Sequence, residues 1–356
     1  MPDLRKDPII ARWVIIATER AQRPDNFKRE QPHPSSKDAA KACPFCEGNE
    51  SMTPPEVYAV RESTTSRNDP GWKVRVTQSI APVLDKEAKL TRNAQGVYDM
   101  ITGVGEHEVI IETPQHIANI ADFEQEQIFS VIHTYCARIS ELEKDHRFKY
   151  VLLYKNYGKD AGAGIYQHSR SQLIALPVNP VRVKDKLAGA RKYFEFKERC
   201  IFCDIIKQEL ASGERLVLET EKFVVLSPFA ARAPFELWLL PKTHSPDFIS
   251  MDYKQQKDLA ETLKITLTKL KLLLQDPPYN YMLHTAPFRR ETGPGYWKTI
   301  DYDYHWHIEI MPRLTKLAGF EWGTGCYIDT VTPEDAAKYM REVKLGKNNK
   351  HNHNHK

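Results

Sequence analysis

Two Cys-x-x-Cys pairs set 157 residues apart, Cys43/Cys46 and Cys200/Cys203, constrain this chain more than any other feature of it. A zinc ribbon brings its second pair about 15–20 residues after the first. These pairs are too far apart for that, so each must find other partners. The segments downstream of the two pairs recur in the same order. After Cys43–Cys46 comes an extended region, then GEHEVIIETPQH, which alternates as a strand and ends in His116. Ile128, Ile132, Tyr135, Ile139 and Leu142 then recur at helical spacing, with Asp122 and Gln125 as the expected N-terminal cap. The strand KYVLLYKN, the glycine-rich loop GKDAGAG and HSRSQLIALP complete the unit. After Cys200–Cys203 the strand FELWLLPKTH ends in His244, and a helix carries Leu259, Leu263, Leu267, Leu270 and Leu274 behind an Asp252/Gln255 cap. YNYMLHTAP, a second loop and HWHIEIMP come next. The order predicts an α+β chain built as a tandem duplication of a unit of about 150 residues.

Each unit therefore offers two cysteines, a histidine at a strand end and a second histidine opening the last strand. The two sets are Cys43, Cys46, His116, His168 and Cys200, Cys203, His244, His305. Two thiolates and two imidazoles make a closed tetrahedral set with no position for substrate, so zinc in two structural sites is the expectation, with iron the alternative at one. A thioredoxin-like redox pair would open a helix, whereas Cys43 follows a polar linker. Cys136 and Cys326 are left as ordinary residues.

The final strands align as His168-Ser-Arg170-Ser-Gln172 and His305-Trp-His307-Ile-Glu309, and alternate residues share a face. In each row the first imidazole is placed to hold metal and the next two groups to face an anion. The glycines Gly158, Gly162 and Gly164 let backbone N–H groups approach a phosphate. Residues 25–42 read as a polar linker, and the basic, low-complexity segment 346–356 as a disordered tail. The formal charge of +4, from 51 Lys+Arg and 47 Asp+Glu, argues against a nucleic-acid partner. The start of the chain lacks the apolar core of a secretory signal, and no apolar run approaches the about 18 residues of a membrane span. A cytoplasmic location without a membrane partner is the expectation.

On these motifs, together with RKDPIIARWVIIATERAQRP, GWKVRV and AGFEWGTG, nearly the whole chain resembles the galactose-1-phosphate uridylyltransferase family of the histidine-triad superfamily, ADP-glucose phosphorylase included. The resemblance implies two histidine-triad-like domains, residues 1–190 and 191–345, each an antiparallel sheet with helices, assembled as a homodimer. It implies a nucleotide sugar or sugar phosphate as ligand, and two-step nucleotidyl transfer in which the middle histidine of a His-x-His-x-Gln motif attacks the α-phosphate. Gln172 matches the Gln that steadies the phosphoryl oxygens, and Asn156, Gly162 and Gly164 match the phosphate loop. Asn68 and Asp69 match the nucleotide-contacting region, and Glu321 a hexose-contacting Glu. Arg20 and Arg23 lie in a matching segment and are either phosphate-facing or solvated.

The nucleophile position, however, is Arg170, whose guanidinium stays protonated and has no lone pair to offer. The loop before it is one residue longer than in the family and lacks a serine usual there. Ser79-Ile80-Ala81-Pro82 replaces an Asn-Lys-x-Pro stretch. Two functions stay open: a nucleotidyltransferase in which Arg170 stabilises the α-phosphate while the acceptor attacks directly, and a non-catalytic nucleotide- or phosphate-binding protein.

Overall fold

The computed structural model describes residues 2–27, 41–289 and 298–346. Strands β1 (Asp3–Lys6) and β2 (Trp13–Ile16) form an N-terminal hairpin. The first repeat then lays down β3 (Glu56–Arg61) and β4 (Trp72–Gln78), a small hairpin β5 (Arg92–Gln95) and β6 (Tyr98–Ile101), and β7 (Glu106–Ile111). Helix α1 (Gln125–Glu143), β8 (Tyr150–Tyr157) and β9 (Arg170–Leu176) complete it. Helices α2 (Val181–Lys197) and α3 (Ile201–Ser212) lead into β10 (Leu216–Glu219), β11 (Phe223–Leu226) and β12 (Leu237–Pro241). Helix α4 (Tyr253–Leu274), β13 (Tyr279–His284), β14 (His307–Pro312), β15 (Tyr327–Asp329) and helix α5 (Pro333–Glu342) come last. Among the described residues no helix is long and apolar enough to cross a membrane.

Ten of these strands form one antiparallel sheet, in the order β10-β11-β12-β14-β13-β8-β9-β7-β4-β3. Each repeat supplies five, in matching orders: β3-β4-β7-β9-β8 and β10-β11-β12-β14-β13. They meet where β8 pairs with β13, Leu153 opposite Leu283 and Asn156 opposite Asn280. A local two-fold axis therefore passes through the middle of the sheet, and the two units share their hydrogen-bond ladder.

Helices α1 and α4 lie side by side over one face of the sheet. Their periodic apolar positions, Ile128, Ile132, Tyr135, Ile139 and Leu142 on one and Leu259, Leu263, Leu267, Leu270 and Leu274 on the other, are all buried. Full burial of a Leu or Ile side chain contributes about 1.5–3 kcal/mol, so this face dominates the core. Asp252 and Gln255 form the expected capping box of α4. At α1 the expected cap does not form. Ile120–Asp122 is a 3-10 turn capped by the Asn119 side chain, and the Asp122 carboxylate pairs instead with Lys271 of α4 at 2.5 Å. The helix begins at Gln125 behind Glu124, which makes no side-chain cap, so Asp122 lies outside the capping position.

On the other face, α2, α3 and Ile9 cover the second repeat, burying Val224, Leu226, Trp238 and Leu240. The same face of the first repeat carries the Cys43/Cys46 knuckle and a smaller cluster of Phe45, Trp72, Val109 and Ile111. The expected linker starts later than residue 25, because Pro24–Phe27 is a 3-10 turn whose Phe27 packs edge-on against Phe235. Residues 28–40 and 347–356, which include most of the linker and the tail, lie outside the described residues.

Candidate metal centres and anion-binding row

Cys43 and Cys46 sit on a turn closed by the Cys46 N–H to the Cys43 carbonyl, and Asn49 Nδ2 donates to that same carbonyl at 2.9 Å. His116 arrives from the end of β7 and His168 from the residues leading into β9. Cys46 Sγ lies 3.2 Å from His116 Nδ1 and 3.5 Å from His168 Nδ1, and Cys43 Sγ lies 3.7 Å from His168 Nδ1. In the second repeat Cys200 is the N-cap of α3, so this pair does open a helix, and Cys203 Sγ lies 3.4 Å from His244 Nδ1 and 3.6 Å from His305 Nδ1. The four ligand atoms of each set fall within 4.8 Å of one another.

These separations test the fit of a metal. With Zn–S about 2.3 Å and Zn–N about 2.0 Å, the S···N edge of a tetrahedron is about 3.5 Å. Three of the four far ring nitrogens are tied to carbonyls, His168 Nε2 to Thr113 at 2.8 Å, His305 Nε2 to Pro241 at 2.9 Å and His244 Nε2 to Asp301 at 3.0 Å, whereas His116 Nε2 is buried without a partner. Such bonds fix the tautomer that turns the Nδ1 lone pair inward. Burial also pushes His168 down to about 4, keeping the imidazole neutral as a ligand requires. Burial and the neighbouring Cys43 push the Cys46 thiol up to about 12, a shift that a dication reverses. Both donor sets fit a closed tetrahedral ion.

The row on β9 faces the side of the sheet away from α1. Arg170 stands opposite Ile111 and Gln172 opposite Val109 of β7. Arg170 does not extend into open space. Its Nη1 donates to the Tyr166 carbonyl at 2.9 Å and the His168 carbonyl at 3.1 Å, its Nη2 donates to the Ala163 carbonyl, and the guanidinium lies 4.9 Å over the Phe45 ring. It holds the lengthened loop against the Cys43/Cys46 knuckle. Gln172 Oε1 meets Tyr154 Oη at 3.0 Å and His107 Nε2 at 2.9 Å. Asn156 Oδ1 accepts from Asn280 Nδ2 at 2.8 Å, and Asn280 Nδ2 also reaches the Ala161 carbonyl at 2.9 Å, so both asparagines brace the glycine loop.

Gly158, Gly162 and Gly164 have φ of 80°, 83° and 73°. At Gly158 a Cβ would also lie 2.7 Å from Pro278 Cβ. Gly158→Ala is therefore expected to cost about 2–3 kcal/mol from left-handed strain and overpacking, read as a lower urea midpoint.

Beneath the row, on the helix side, Glu112 is fully buried and accepts from Tyr135 Oη at 2.7 Å, Ser169 Oγ at 2.6 Å, Lys155 Nζ and Ser171 Oγ. Burial alone would raise its pKa, but Lys155 and the serines outweigh burial and hold it below the usual carboxylate range. The network anchors the strand that carries Arg170.

The other expected site residues lie further out. Asn68 is at φ 66° in the exposed β3–β4 loop, its side chain accepting from the Glu56 N–H at 2.7 Å. Asp69 is its neighbour, and the Gly71 N–H ties this loop to Glu47 of the knuckle at 2.7 Å. Glu321 accepts from the Ala318 N–H at 3.0 Å, and among the described residues no contact brings it to the Arg170 row. Arg20 and Arg23 are exposed after β2, in a segment tied through Gln22 to Thr330. Pro82, from the stretch that departs from the family pattern, lines with Gln78, Leu84, Lys86, Glu106 and His107 an open cavity of about 450 Å³. His107 thus connects that stretch to Gln172.

The second row is closed. His307 and Glu309 are buried under α2, where Lys186 Nζ donates to His307 Nε2 at 2.7 Å and to Glu309 Oε1 at 2.6 Å. Arg232 donates to Glu309 Oε2 at 2.6 Å and also pairs with Glu236. His307 Nδ1 donates to the His305 carbonyl at 3.0 Å, and burial, then Lys186, push its pKa down to about 3. His284 Nε2 lies 3.3 Å from Glu309 Oε2, and burial lowers its pKa as well. With His284 and His307 neutral, the cations Lys186 and Arg232 balance the carboxylates Glu309 and Glu236. Lys186, Tyr154, His107 and Asn280 were not singled out from the sequence. His107 shares the alternation of Val109 and Ile111, which places it on the row's face; Lys186 gave no such signal.

A duplicated unit with an edge-joined antiparallel sheet, a Cys₂His₂ set in each half and one open polar row defines the class of protein. Residues 1–176 match the family model for the N-terminal domain of galactose-1-phosphate uridyl transferase, and residues 186–354 match that for its C-terminal domain. The chain belongs to the galactose-1-phosphate uridylyltransferase family. It is 40% identical over 347 residues to ADP-glucose phosphorylase of Arabidopsis thaliana, covering 97% of this chain and 93% of the relative. It is 30% identical over 352 residues to galactose-1-phosphate uridylyltransferase of Thermotoga maritima, covering 97% and 99%. The crystal structure of the Arabidopsis thaliana ADP-glucose phosphorylase with bound ADP-glucose superimposes with a TM-score of 0.78 at 36% identity, covering 97% of this chain and all of that one.

Proposed function

We propose that the first repeat binds a nucleotide sugar of the ADP-glucose class on the Arg170–Gln172 row and glycine loop, and that no nucleotidyl group is carried on residue 170. The ADP-glucose preference is supported by the higher identity to the phosphorylase than to the uridylyltransferase. The observation that carries the reading is the guanidinium at position 170, with both Nη groups committed to loop carbonyls while Gln172, Asn156 and the glycines remain arranged around it. A protonated guanidinium has no electron pair for phosphorus. Transfer then proceeds by direct attack of the acceptor's oxygen on the α-phosphorus. The bond to the bridging oxygen breaks, the sugar phosphate leaves, and phosphorus inverts. Gln172 donates to a phosphoryl oxygen and Arg170 holds the loop that covers it. Zinc in the two Cys₂His₂ sets, a homodimer and a cytoplasmic location belong to the same reading. If bound, zinc there clamps the loops and meets no substrate.

The second reading is a protein that binds such ligands without turnover, favoured by the fact that three of the five N–H donors of Arg170 are already spent on backbone carbonyls. Incubation with ADP-glucose labelled at the α-phosphate tests both. Protection against thermal unfolding is expected with no acid-labile label on the protein. A labelled adduct overturns the proposal. Labelled ADP appearing with phosphate as acceptor, with inversion at phosphorus, selects direct transfer, whereas binding without product selects the second reading.

A further inference from the structure

The amide of Gln172 carries an acceptor at one end and two donors at the other, and which end faces the cleft decides what the row recognises. Its Oε1 is held between Tyr154 Oη at 3.0 Å and His107 Nε2 at 2.9 Å. Its nitrogen makes no hydrogen bond to the protein among the described residues. Reversing the amide would require His107 Nε2 to accept, moving the imidazole proton to Nδ1. That atom is buried without a partner, and His107 is only 7% exposed. A buried N–H with no acceptor is rarer and more costly than a bare acceptor lone pair, so the proton belongs on Nε2 and the Gln172 oxygen belongs inward.

We infer that Tyr154 and His107 are positioning residues that lock the Gln172 amide with its nitrogen toward the ligand, making it a committed donor to an oxyanion. The inference rests on the proposed nucleotide-sugar reading for the identity of that oxyanion, the α-phosphoryl group, but the lock itself is a property of the unliganded protein. In that role both act through Gln172 and neither needs to touch the ligand. Among the described residues the second repeat shows no such device: Met282 faces Glu309 where Tyr154 faces Gln172, and a carboxylate has no donor end to select.

Two measurements on the full-length protein separate the lock from the functional reading. The first is the ¹⁵N spectrum of the imidazoles, with His107 assigned by its loss in His107→Gln. An Nε2–H tautomer is expected, and an Nδ1–H tautomer overturns the lock whether or not any nucleotide binds. The second is calorimetric titration with ADP-glucose. Tyr154→Phe combined with His107→Ala is expected to weaken binding about tenfold, the scale of one hydrogen bond to a charged group. In the Tyr154→Phe background, replacing His107→Ala by His107→Gln, whose amide N–H reaches toward the same oxygen, is expected to restore most of that loss. Wild-type affinity in the double variant, or equal loss with Ala and Gln at position 107, overturns the positioning role. No binding by the wild-type protein refutes the nucleotide-sugar reading and leaves the tautomer to decide the lock.

Discussion

Lys186→Met is expected to destabilise the protein by about 3–5 kcal/mol, the usual loss when one partner of a buried ion pair is removed. Lys186 is 7% exposed and Glu309 2%, so water cannot replace the ammonium that bridges Glu309 and His307. Methionine fills the volume but leaves a buried carboxylate with Arg232 as its one strong cation. A fall in the urea midpoint at unchanged slope is the measurement. Lys186→Met with Glu309→Gln should recover much of the loss, since it removes the orphaned charge as well. The pH dependence carries a definite sign. Burial pushes Glu309 up, yet Arg232 and Lys186 outweigh it and hold the carboxyl well below its ordinary value. A depressed folded-state pKa stabilises above the unfolded value of about 4.3 and is lost only as pH falls through the folded value. Without Lys186 the folded pKa rises, so acid unfolding should begin at higher pH in the variant. Equal acid midpoints for variant and parent would contradict this account of the cluster.

The second large effect concerns the Cys₂His₂ sets. Cys46→Ser is expected to reduce bound zinc from two ions per chain to one, read by metal analysis of the purified protein. Structural zinc contributes an apparent binding energy of about 10–16 kcal/mol in small zinc domains at pH 7. A set within a large core should show part of that, as a lowered thermal midpoint that added zinc does not restore. The local loss falls on Phe45, His168 and, through them, the Arg170 loop. Cys203→Ser should remove the other ion and loosen the start of α3 while sparing that loop. Full zinc content in either variant would remove the metal assignment of its set.

Much of this architecture was legible because it is written twice. The order Cys-x-x-Cys, strand, His, helix, strand, loop, His recurs, and its period-2 and helical spacings predicted the elements around both metal sets and the shared face of Arg170 and Gln172. What lay beyond reach depends on register and on distant partners. Asn280 braces the glycine loop from a position 124 residues after Asn156, through a pairing of β8 with β13 that no local pattern announces. Lys186 lies on a helix between the repeats whose composition reads as solvated. Only the burial of the second row turns that lysine into an internal counter-charge. The Asp122 cap failed because the helix begins two residues later than the spacing suggested, with Glu124 as its N-cap.

The β8–β13 seam has a consequence for how such a chain arose and how it behaves. Antiparallel pairing of equivalent edge strands about a two-fold axis is how two copies of a half-length protein would join isologously. Here that junction lies inside one chain, so the halves meet at a fixed effective concentration and do not separate on dilution. Joined subunits are also free to diverge. One has an open row lined by an amide and an arginine, whereas in the other a helix and a lysine cover the corresponding row.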